Sequence, residues 1–145
     1  MKPVLTAVAI RKMAIEWYRK LDVHAPMVEI LPMLAEKGLK MRFPEATLSG
    51  QGAFEGWYQG VIRIFFDEAH KVKSIRSVIR GNRAKVKIVV RWEASRWRPP
   101  AARSDRIVCD AHQTWEVRLS RKTGEPEVVT YIVDRLRFAK GSARL

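Results

Sequence analysis

Histidine and carboxylate side chains are the groups of this sequence best suited to moving a proton near neutral pH. His112 follows Asp110 by two residues, a spacing at which both side chains project from the same face of a strand. A carboxylate beside an imidazole holds the ring in one tautomer, so these residues could act as a coupled pair. Alternatively, both belong to a polar outer sheet face or a dimer surface. His24, at the end of a predicted helix, is either a capping or surface residue or a base in a pocket.

Metal and cofactor sites are not expected from the remaining motifs. The three histidines are far apart in sequence, and no closely spaced ligand pair of the kind found in zinc sites is present. The segment Gly50-Gln51-Gly52 lacks the lysine and the spacing of a phosphate-binding loop. Cys109, the only cysteine, lies in an apolar strand pattern and is interpreted as a buried thiol. The sequence therefore predicts no metal and no cofactor.

The composition predicts a single domain spanning residues 1–145. Because 47% of the 145 residues are hydrophobic, the chain can build one substantial core, expected over about 4–138 with a frayed tail from Ala139. No run of eighteen apolar residues exists, so neither a transmembrane helix nor a membrane partner is expected. A lone cysteine fits a reducing cytoplasm, which is the predicted location.

Positive charge is concentrated in one part of the chain. The formal net charge is +13, and residues 71–106 hold twelve lysines and arginines against Glu93 and Asp105. A local excess of this size could attract nucleic acid, anionic lipid or an acidic ligand, although it also suits a solvated convex sheet face. Nucleic-acid binding through this segment is therefore an alternative function. Strand alternation points Trp92 away from the basic row, where it could not stack on bases.

Apolar spacing predicts three helices at the start of the chain. The first spans about 4–22, the second runs from Pro26 to Lys37 with a kink at Pro32, and the third begins near Gly50. The third helix carries an apolar face: Phe54, Trp57, Tyr58, Val61, Ile62 and Phe65.

Alternating apolar and polar residues predict five strands, and their order defines the fold class. The strands cover about 39–43, 67–79, 85–97, 107–119 and 127–138. Three helices and an antiparallel meander predict an α+β fold with the helices packed on one sheet face. Strands of ten or more residues usually curl, so we expect a cone-shaped α+β barrel with a ligand pocket at its mouth.

This order resembles the nuclear transport factor 2-like superfamily, most closely its bacterial SnoaL-like, polyketide cyclase-like branch. The resemblance covers about residues 10–138. Its segments, in order, are Leu21-Asp22-Val23-His24, Phe43-Pro44-Glu45, Phe54-Glu55-Gly56-Trp57-Tyr58, Phe66-Asp67-Glu68-Ala69-His70, Gln113-Thr114-Trp115 and Tyr131-Ile132-Val133-Asp134. The superfamily includes ketosteroid isomerases, polyketide cyclases, epoxide hydrolases, dehydratases and non-catalytic binders. The resemblance therefore does not name a reaction.

The resemblance implies roles for two helices and one strand end. In the isomerase branch, an aspartate before the strand-ending proline is the general base, and Phe43 stands at that position. A benzyl group carries no titratable proton, so isomerase chemistry lacks its first requirement. Tyr58 matches a third-helix tyrosine that could donate a hydrogen bond to a ligand oxygen. Trp17 or Tyr18 matches the tyrosine that supports it.

Further positions follow from the same resemblance. The protonated aspartate of the isomerase branch falls near Ala111 or Gln113, and glutamine can donate a hydrogen bond but cannot transfer a proton. His70 follows the third helix at a junction that lines the cone in the resembled family. Asp134 is another acid that could face the cavity. The catalytic candidates are therefore Tyr58, His70 and Asp134.

The predicted function is the binding of a small apolar or aromatic, oxygen-bearing ligand. If the protein is an enzyme, the expected chemistry is isomerase-, cyclase- or lyase-like proton transfer. The expected ligand-binding residues are Tyr18, Phe43, Trp57, Tyr58, Trp92, Gln113 and Trp115. A homodimer through the sheet is also expected, with Val89, His112 and Thr114 near its centre. Neither the ligand nor the presence of catalysis follows from the sequence.

Overall fold

The structure, a computed structural model, describes residues 2–145. Helix α1 spans Ala7–Asp22. Thr6 caps its N-terminus, and the Thr6 hydroxyl accepts a hydrogen bond from the Ala9 amide at 3.1 Å. This contact satisfies an amide that has no partner within the helix. The buried positions of α1 are three or four residues apart, so one face packs inward: Ile10, Met13, Ala14, Trp17 and Tyr18.

The second helical segment is shorter than predicted. Helix α2 (Met27–Ile30) passes directly into a 3-10 turn (Leu31–Met33) that contains Pro32. Proline lacks the amide hydrogen that a helix interior requires and crowds the preceding turn. The predicted continuation to Lys37 therefore does not form. The third helix, α3 (Gln51–Ile64), begins close to its predicted start.

Six strands form one sheet. They are β1 (Lys40–Phe43), β2 (Ala46–Ser49), β3 (Phe65–Arg80), β4 (Arg83–Arg96), β5 (Asp105–Leu119) and β6 (Pro126–Phe138). Their spatial order is β2-β1-β6-β5-β4-β3, and the sheet is curved but not closed. β1 pairs in parallel with β6, whereas the other pairs are antiparallel, so the sheet is mixed rather than wholly antiparallel. The sequence did not predict β2.

An aromatic core joins α1 and α3 to the concave face of the sheet. Trp17 of α1 lies 5.8 Å from Phe54 of α3 and 6.4 Å from Trp115 of β5, measured between ring centroids. The Trp115 ring in turn stacks on Tyr131 of β6 at 4.9 Å. Large aromatic rings bury much apolar area, so these contacts fix the helices on one face of the sheet. The predicted α+β fold class is confirmed.

The C-terminal tail continues beyond β6 along the first residues of β5, which differs from the frayed tail expected from the sequence. The Ala139 amide donates to the Val108 carbonyl at 2.9 Å, and the Ala143 amide donates to the Arg106 carbonyl at 3.0 Å. The Ser142 hydroxyl accepts from the Val108 amide at 2.8 Å. Hydrogen bonds of this kind hold residues that composition alone suggests would be loose. Within residues 2–145, every helix is too short or too polar to span a bilayer.

Candidate functional site

A cavity of about 830 Å³ lies between α3 and the concave face of the sheet. Its wall is largely apolar, with contributions from Leu21, Phe43, Val61, Ile62, Ile64, Phe65, Val90, Val133, Leu136 and Leu145. A smaller set of polar side chains interrupts this wall, including His70, Glu68 and Gln113. An apolar cavity with a few convergent polar groups is the usual form of a small-molecule site.

A histidine–aspartate pair borders the cavity, with His70 in the wall and Asp22 behind it. The His70 Nδ1 atom lies 2.6 Å from Asp22 Oδ1, and the His70 amide donates to Asp22 Oδ2 at 3.0 Å. Both carboxylate oxygens are therefore engaged by one residue, which fixes the ring and its backbone together. In the neutral tautomer that donates Nδ1–H to the carboxylate, Nε2 carries no hydrogen and can accept a proton.

A bulge in β3 directs His70 into the cavity. Phe66 pairs with Ser95 and Ala69 pairs with Glu93, so two residues of β3 face the single residue Ala94. Asp67, within the bulge, has φ of 50°, an uncommon backbone conformation for a residue other than glycine. An extra residue exchanges the two faces of the strand beyond it. Without it, His70 would project from the convex face.

Two aromatic rings hold the His70 imidazole in place. The Tyr18 ring stacks on the imidazole at 5.1 Å with 22° between the planes, and Trp92 lies 6.3 Å away at 25°. The His70 side chain is only 11% exposed. Packing on both sides limits rotation about the side-chain bonds, so the imidazole is preorganised rather than mobile.

A second acid, Glu68, lies within the β3 bulge, two residues before His70. Glu68 Oε1 accepts from the Trp92 indole at 3.0 Å, and Glu68 Oε2 lies 2.5 Å from His24 Nε2. His24 has φ of 51°. Glu68 belongs to the cavity wall, and its side chain is 11% exposed. The site therefore contains two carboxylate–histidine pairs, and the Trp92 side chain neighbours both: its indole donates to Glu68, and its ring lies 6.3 Å from His70.

The side-chain oxygen of Gln113 is already occupied by hydrogen bonds from two neighbouring residues. Its Oε1 accepts from the Tyr18 hydroxyl at 3.0 Å and from the Trp115 indole at 2.9 Å. Both partners are donors in these bonds, which assigns the amide orientation and makes Nε2 the free donor end. Tyr131 also lines the cavity, and burial raises the pKa of its hydroxyl to about 12. Tyr131 therefore stays protonated and can donate a hydrogen bond at neutral pH.

The residues predicted on α3 and at the end of β1 also border the cavity. Phe43 stacks on Trp57 with ring centroids 3.8 Å apart, and the Trp57 indole donates to Glu45 at 2.8 Å. Tyr58 lies in the wall too, but its hydroxyl donates to the Ala25 carbonyl at 2.7 Å. That hydroxyl is therefore occupied by the backbone.

Other predicted residues lie outside the cavity wall. Trp115 is fully buried in the core. The Asp134 carboxylate accepts from the Thr114 hydroxyl at 2.7 Å on the convex face. The Asp110 carboxylate binds Lys73 and Arg91 there, rather than forming the coupled pair with His112. Asp110, His112 and Thr114 share the convex side of the sheet because β5 alternates regularly over this segment.

Asp22 and Glu68 were not identified as candidate site residues from the sequence. One signal was available for Asp22, because a carboxylate at the last residue of a helix meets the negative end of the helix dipole. An unfavourable position of this kind suggests a separate role. Glu68 gave no such signal, since its direction depends on the bulge. Within residues 2–145, no group of three or more His, Cys, Asp or Glu side chains is arranged to hold a metal ion.

Comparisons with known proteins identify the fold. No family model matches the sequence, and no curated protein matches it significantly. Among solved structures, a candidate aromatic ring hydroxylase from Novosphingobium aromaticivorans has a TM-score of 0.76 at 14% identity, covering 91% of this chain and 92% of that chain. A candidate scytalone dehydratase from the same organism has a TM-score of 0.74 at 17% identity, covering 95% of this chain and 87% of that chain.

A further neighbour carries the fold family in its own description. This candidate dehydratase of the nuclear transport factor 2-like family, from Streptomyces avermitilis, has a TM-score of 0.71 at 10% identity, covering 86% of this chain and 92% of that chain. Identities this low show a shared fold and nothing more. The chain has the α+β cone fold of the nuclear transport factor 2-like superfamily.

Proposed function

We propose that this protein is a lyase-type enzyme that removes a proton from a small, apolar, oxygen-bearing compound bound in the cavity. The observation that carries the proposal is the Asp22–His70 pair in a largely apolar wall. A buried, oriented imidazole beside a carboxylate is a common general base. Two of the structural neighbours are candidate dehydratases, which favours elimination among the reactions that begin with proton removal.

The proposed step breaks a C–H bond next to a carbonyl group. His70 Nε2 takes the proton, and the electron pair is delocalised as an enolate. The enolate then forms a carbon–carbon double bond and expels hydroxide from the neighbouring carbon. The proton held by His70 is delivered to that hydroxide, so the products are an unsaturated carbonyl compound and water. Asp22 keeps the ring in the required tautomer and stabilises the imidazolium that forms between the two transfers.

Hydrogen-bond donors in the wall would stabilise the enolate oxygen. The Tyr131 hydroxyl and the Gln113 amide are the available neutral donors. In a dry cavity such donors interact strongly with developing charge. Phe43 and Trp57 would cover an aromatic or alicyclic ring of the substrate. The predicted ligand-binding residues Tyr18 and Trp115 act behind these groups, because they orient Gln113 rather than face the ligand.

The decisive experiment measures proton removal directly. The purified protein is incubated in D₂O with a panel of cyclic and aryl β-hydroxyketones, and enone formation is followed by ultraviolet absorbance and α-carbon deuteration by NMR. We expect His70→Gln and Asp22→Asn to lower the rate by about 10²- to 10⁴-fold. His112→Gln is the matched control, because His112 lies on the convex face and should leave the rate unchanged.

Two results would contradict the lyase assignment. If His70→Gln retained the wild-type rate with an unchanged melting temperature, His70 would not be the base. If the wild-type protein bound ketones but gave neither enone nor deuteration, the protein would be a binder rather than an enzyme. Only the proposal that the cavity binds an oxygen-bearing ligand would then stand.

The convex face is proposed as a homodimer surface, with Val89, His112 and Thr114 near its centre. Sheets of this type commonly pair through one face, and a twofold interface requires the same patch on both copies. Light scattering after size-exclusion chromatography would show a mass near twice 16.7 kDa. A monomer at micromolar concentration would contradict the homodimer.

Nucleic-acid binding by the same face is the alternative function. A gel shift at low salt that disappears at moderate salt would support nucleic-acid binding. The proposed cytoplasmic location rests on the lone cysteine.

A further inference from the structure

One arginine in the cavity wall is unusually well buried. Arg96, the last residue of β4, is 7% exposed. Its Nη2 atom donates to the Arg144 carbonyl at 2.8 Å and to Asp105 at 3.3 Å. The Nε atom is also buried, and it has no hydrogen-bond partner within residues 2–145. Leaving a charged donor buried and unpaired costs stability, so such a group calls for an explanation.

Strand alternation turns Arg96 toward the cavity. Trp92 and Arg96 lie two and six positions after Val90 along β4. Side chains at even spacing project from the same side of a strand, so all three share the concave face. All three contribute to the cavity wall. The arginine is therefore a component of the site rather than of the convex ionic surface.

Two more arginines border the same end of the cavity. Arg63 lies near the end of α3, and Arg98 follows β4. Arg98 binds the same Asp105 carboxylate as Arg96, at 3.0 Å, so one negative charge is shared by two guanidinium groups. The acids that line the cavity elsewhere are already engaged: Glu45 by Trp57, and Glu68 by Trp92 and His24. Three arginines therefore lie at this end of the cavity, and two of them share the single carboxylate of Asp105.

We propose that Arg96, with Arg63 and Arg98 beside it, forms an anion subsite, and that the ligand of this cavity is an apolar molecule carrying a carboxylate. The inference deepens the proposed function and rests on it, because the cavity ligand is there proposed to be the substrate. Arginine suits this task because its planar group remains charged and matches carboxylate geometry. Arg96 itself lines the cavity, so its guanidinium group is a donor that a bound carboxylate would meet.

The strand spacing also sets the distance between the subsite and the proposed base. Trp92 pairs with His70, and Arg96 lies four residues further along β4. At about 3.3 Å per residue, the two levels are about 13 Å apart along the strand. A ligand that reached both would therefore be elongated, with its reactive carbon at one end and its carboxylate at the other.

The test compares a carboxylate with its neutral isostere. Naphthalene-2-carboxylate and naphthalene-2-carboxamide are titrated into the full chain by calorimetry. We expect the wild type to bind the carboxylate at least about tenfold more tightly, and this ratio to fall toward one in Arg96→Gln. Arg91→Gln is the matched control, because it removes the same charge from the convex face and should keep the wild-type ratio. Naphthalene-2-sulfonate, run alongside, shows whether the subsite takes anions in general.

Arg96→Gln also loses contacts to Asp105 and Arg144 and could fail to fold. Arg98→Gln covers that case, because Arg98 is largely exposed, and we expect it to reduce the ratio several-fold. Equal affinities of the wild type for the two ligands, no binding of either ligand, or a wild-type ratio in folded Arg96→Gln would each overturn the anion subsite. His70→Gln separates the two proposals: if it abolishes catalysis and keeps the ratio, both stand. If the wild type shows the affinity ratio between carboxylate and carboxamide but no catalysis, the anion subsite stands and the lyase proposal fails.

Discussion

The two faces of the same sheet have opposite chemistry. On β5 the concave row is Cys109, Ala111, Gln113 and Trp115, and all four are buried. The intervening convex row is Asp110, His112, Thr114 and Glu116, which remain partly or fully exposed. The concave face buries aromatic rings and holds the cavity, whereas the convex face carries ion pairs such as Lys73 with Asp110. One strand therefore provides both the core and a charged surface.

This contrast shows where a small change should matter. A concave side chain is surrounded by packed atoms, so altering it leaves a cavity or an unpaired polar group. A convex side chain can exchange its partners for water, so altering it costs little. Neighbouring residues of one strand should then differ by several kcal/mol in their contribution to stability.

The largest expected difference is between Trp115 and its neighbour Thr114. Trp115→Ala removes a fully buried ring that packs on Tyr18 and Tyr131, and we expect the free energy of unfolding to fall by about 3–5 kcal/mol. Thr114→Ala removes hydroxyl contacts on the convex face and should cost less than about 1 kcal/mol. Urea denaturation of both variants measures the difference. Equal losses would contradict the assignment of the two faces.

Cys109 gives the next largest effect, measured as a rate. Burial, with a smaller contribution from the nearby Asp110 charge, raises the pKa of this thiol to about 11. At pH 8 the thiolate fraction is therefore about 200-fold lower than for an ordinary thiol with a pKa near 8.5. Labelling by a thiol-specific disulfide reagent should be slow in the native protein and fast in 6 M guanidinium. Rapid native labelling would mean that the concave row of β5 opens readily.

The sequence was sufficient for the features that depend on local periodicity. The strict alternation of β4 and the apolar spacing of α3 predicted their faces, and the order of the elements indicated the cone. Pro32 shortened a predicted helix, and β2 is only four residues long, too short for its pattern to be distinctive. Errors of this kind come from short segments whose conformation is decided by their neighbours in space.

The site was harder to predict because its geometry depends on irregular backbone. His70 was a candidate, but its pairing with Asp22 joins residues 48 positions apart. The bulge around Asp67 decides which face His70 occupies, and one extra residue in a strand leaves no mark in an alternating pattern. Glu68 owes its direction to the same bulge. The resemblance indicated where in the fold the site lies. The pairing register of β3 with β4 decides which side chains of β3 face the cavity.

Tyr58 tests whether a cavity-wall hydroxyl serves the ligand or the fold. Its hydroxyl donates to the Ala25 carbonyl at 2.7 Å, and burial raises its pKa to about 12. Tyr58→Phe leaves that carbonyl without its donor, so we expect a loss of about 1–2 kcal/mol in the free energy of unfolding. Affinity for naphthalene-2-carboxylate should change less than twofold. A large loss of affinity with unchanged stability would instead assign the hydroxyl to the ligand, as the sequence suggested.

The smallest expected effect lies on the convex face, at Asp110. A hydrogen bond from Lys73 holds the pKa of this carboxyl below its ordinary value, and Arg91 acts in the same direction. Because the native pKa is depressed, the stabilisation is present above the ordinary pKa and is lost as the pH falls through the native value. Asp110→Asn should therefore cost less than about 1 kcal/mol at pH 7, and the cost should shrink as the pH is lowered from 6 to 2.

Urea denaturation of the wild type and Asp110→Asn across this pH range measures the effect, with 0.5 M NaCl as a second condition. Salt should reduce the difference at pH 7, because an exposed ion pair is screened. A cost above about 2 kcal/mol at pH 7 that persists at high salt would show that this carboxylate is held in a desolvated environment. The convex surface at Asp110 would then be covered in solution, and the simple division into a packed face and a hydrated face would no longer hold.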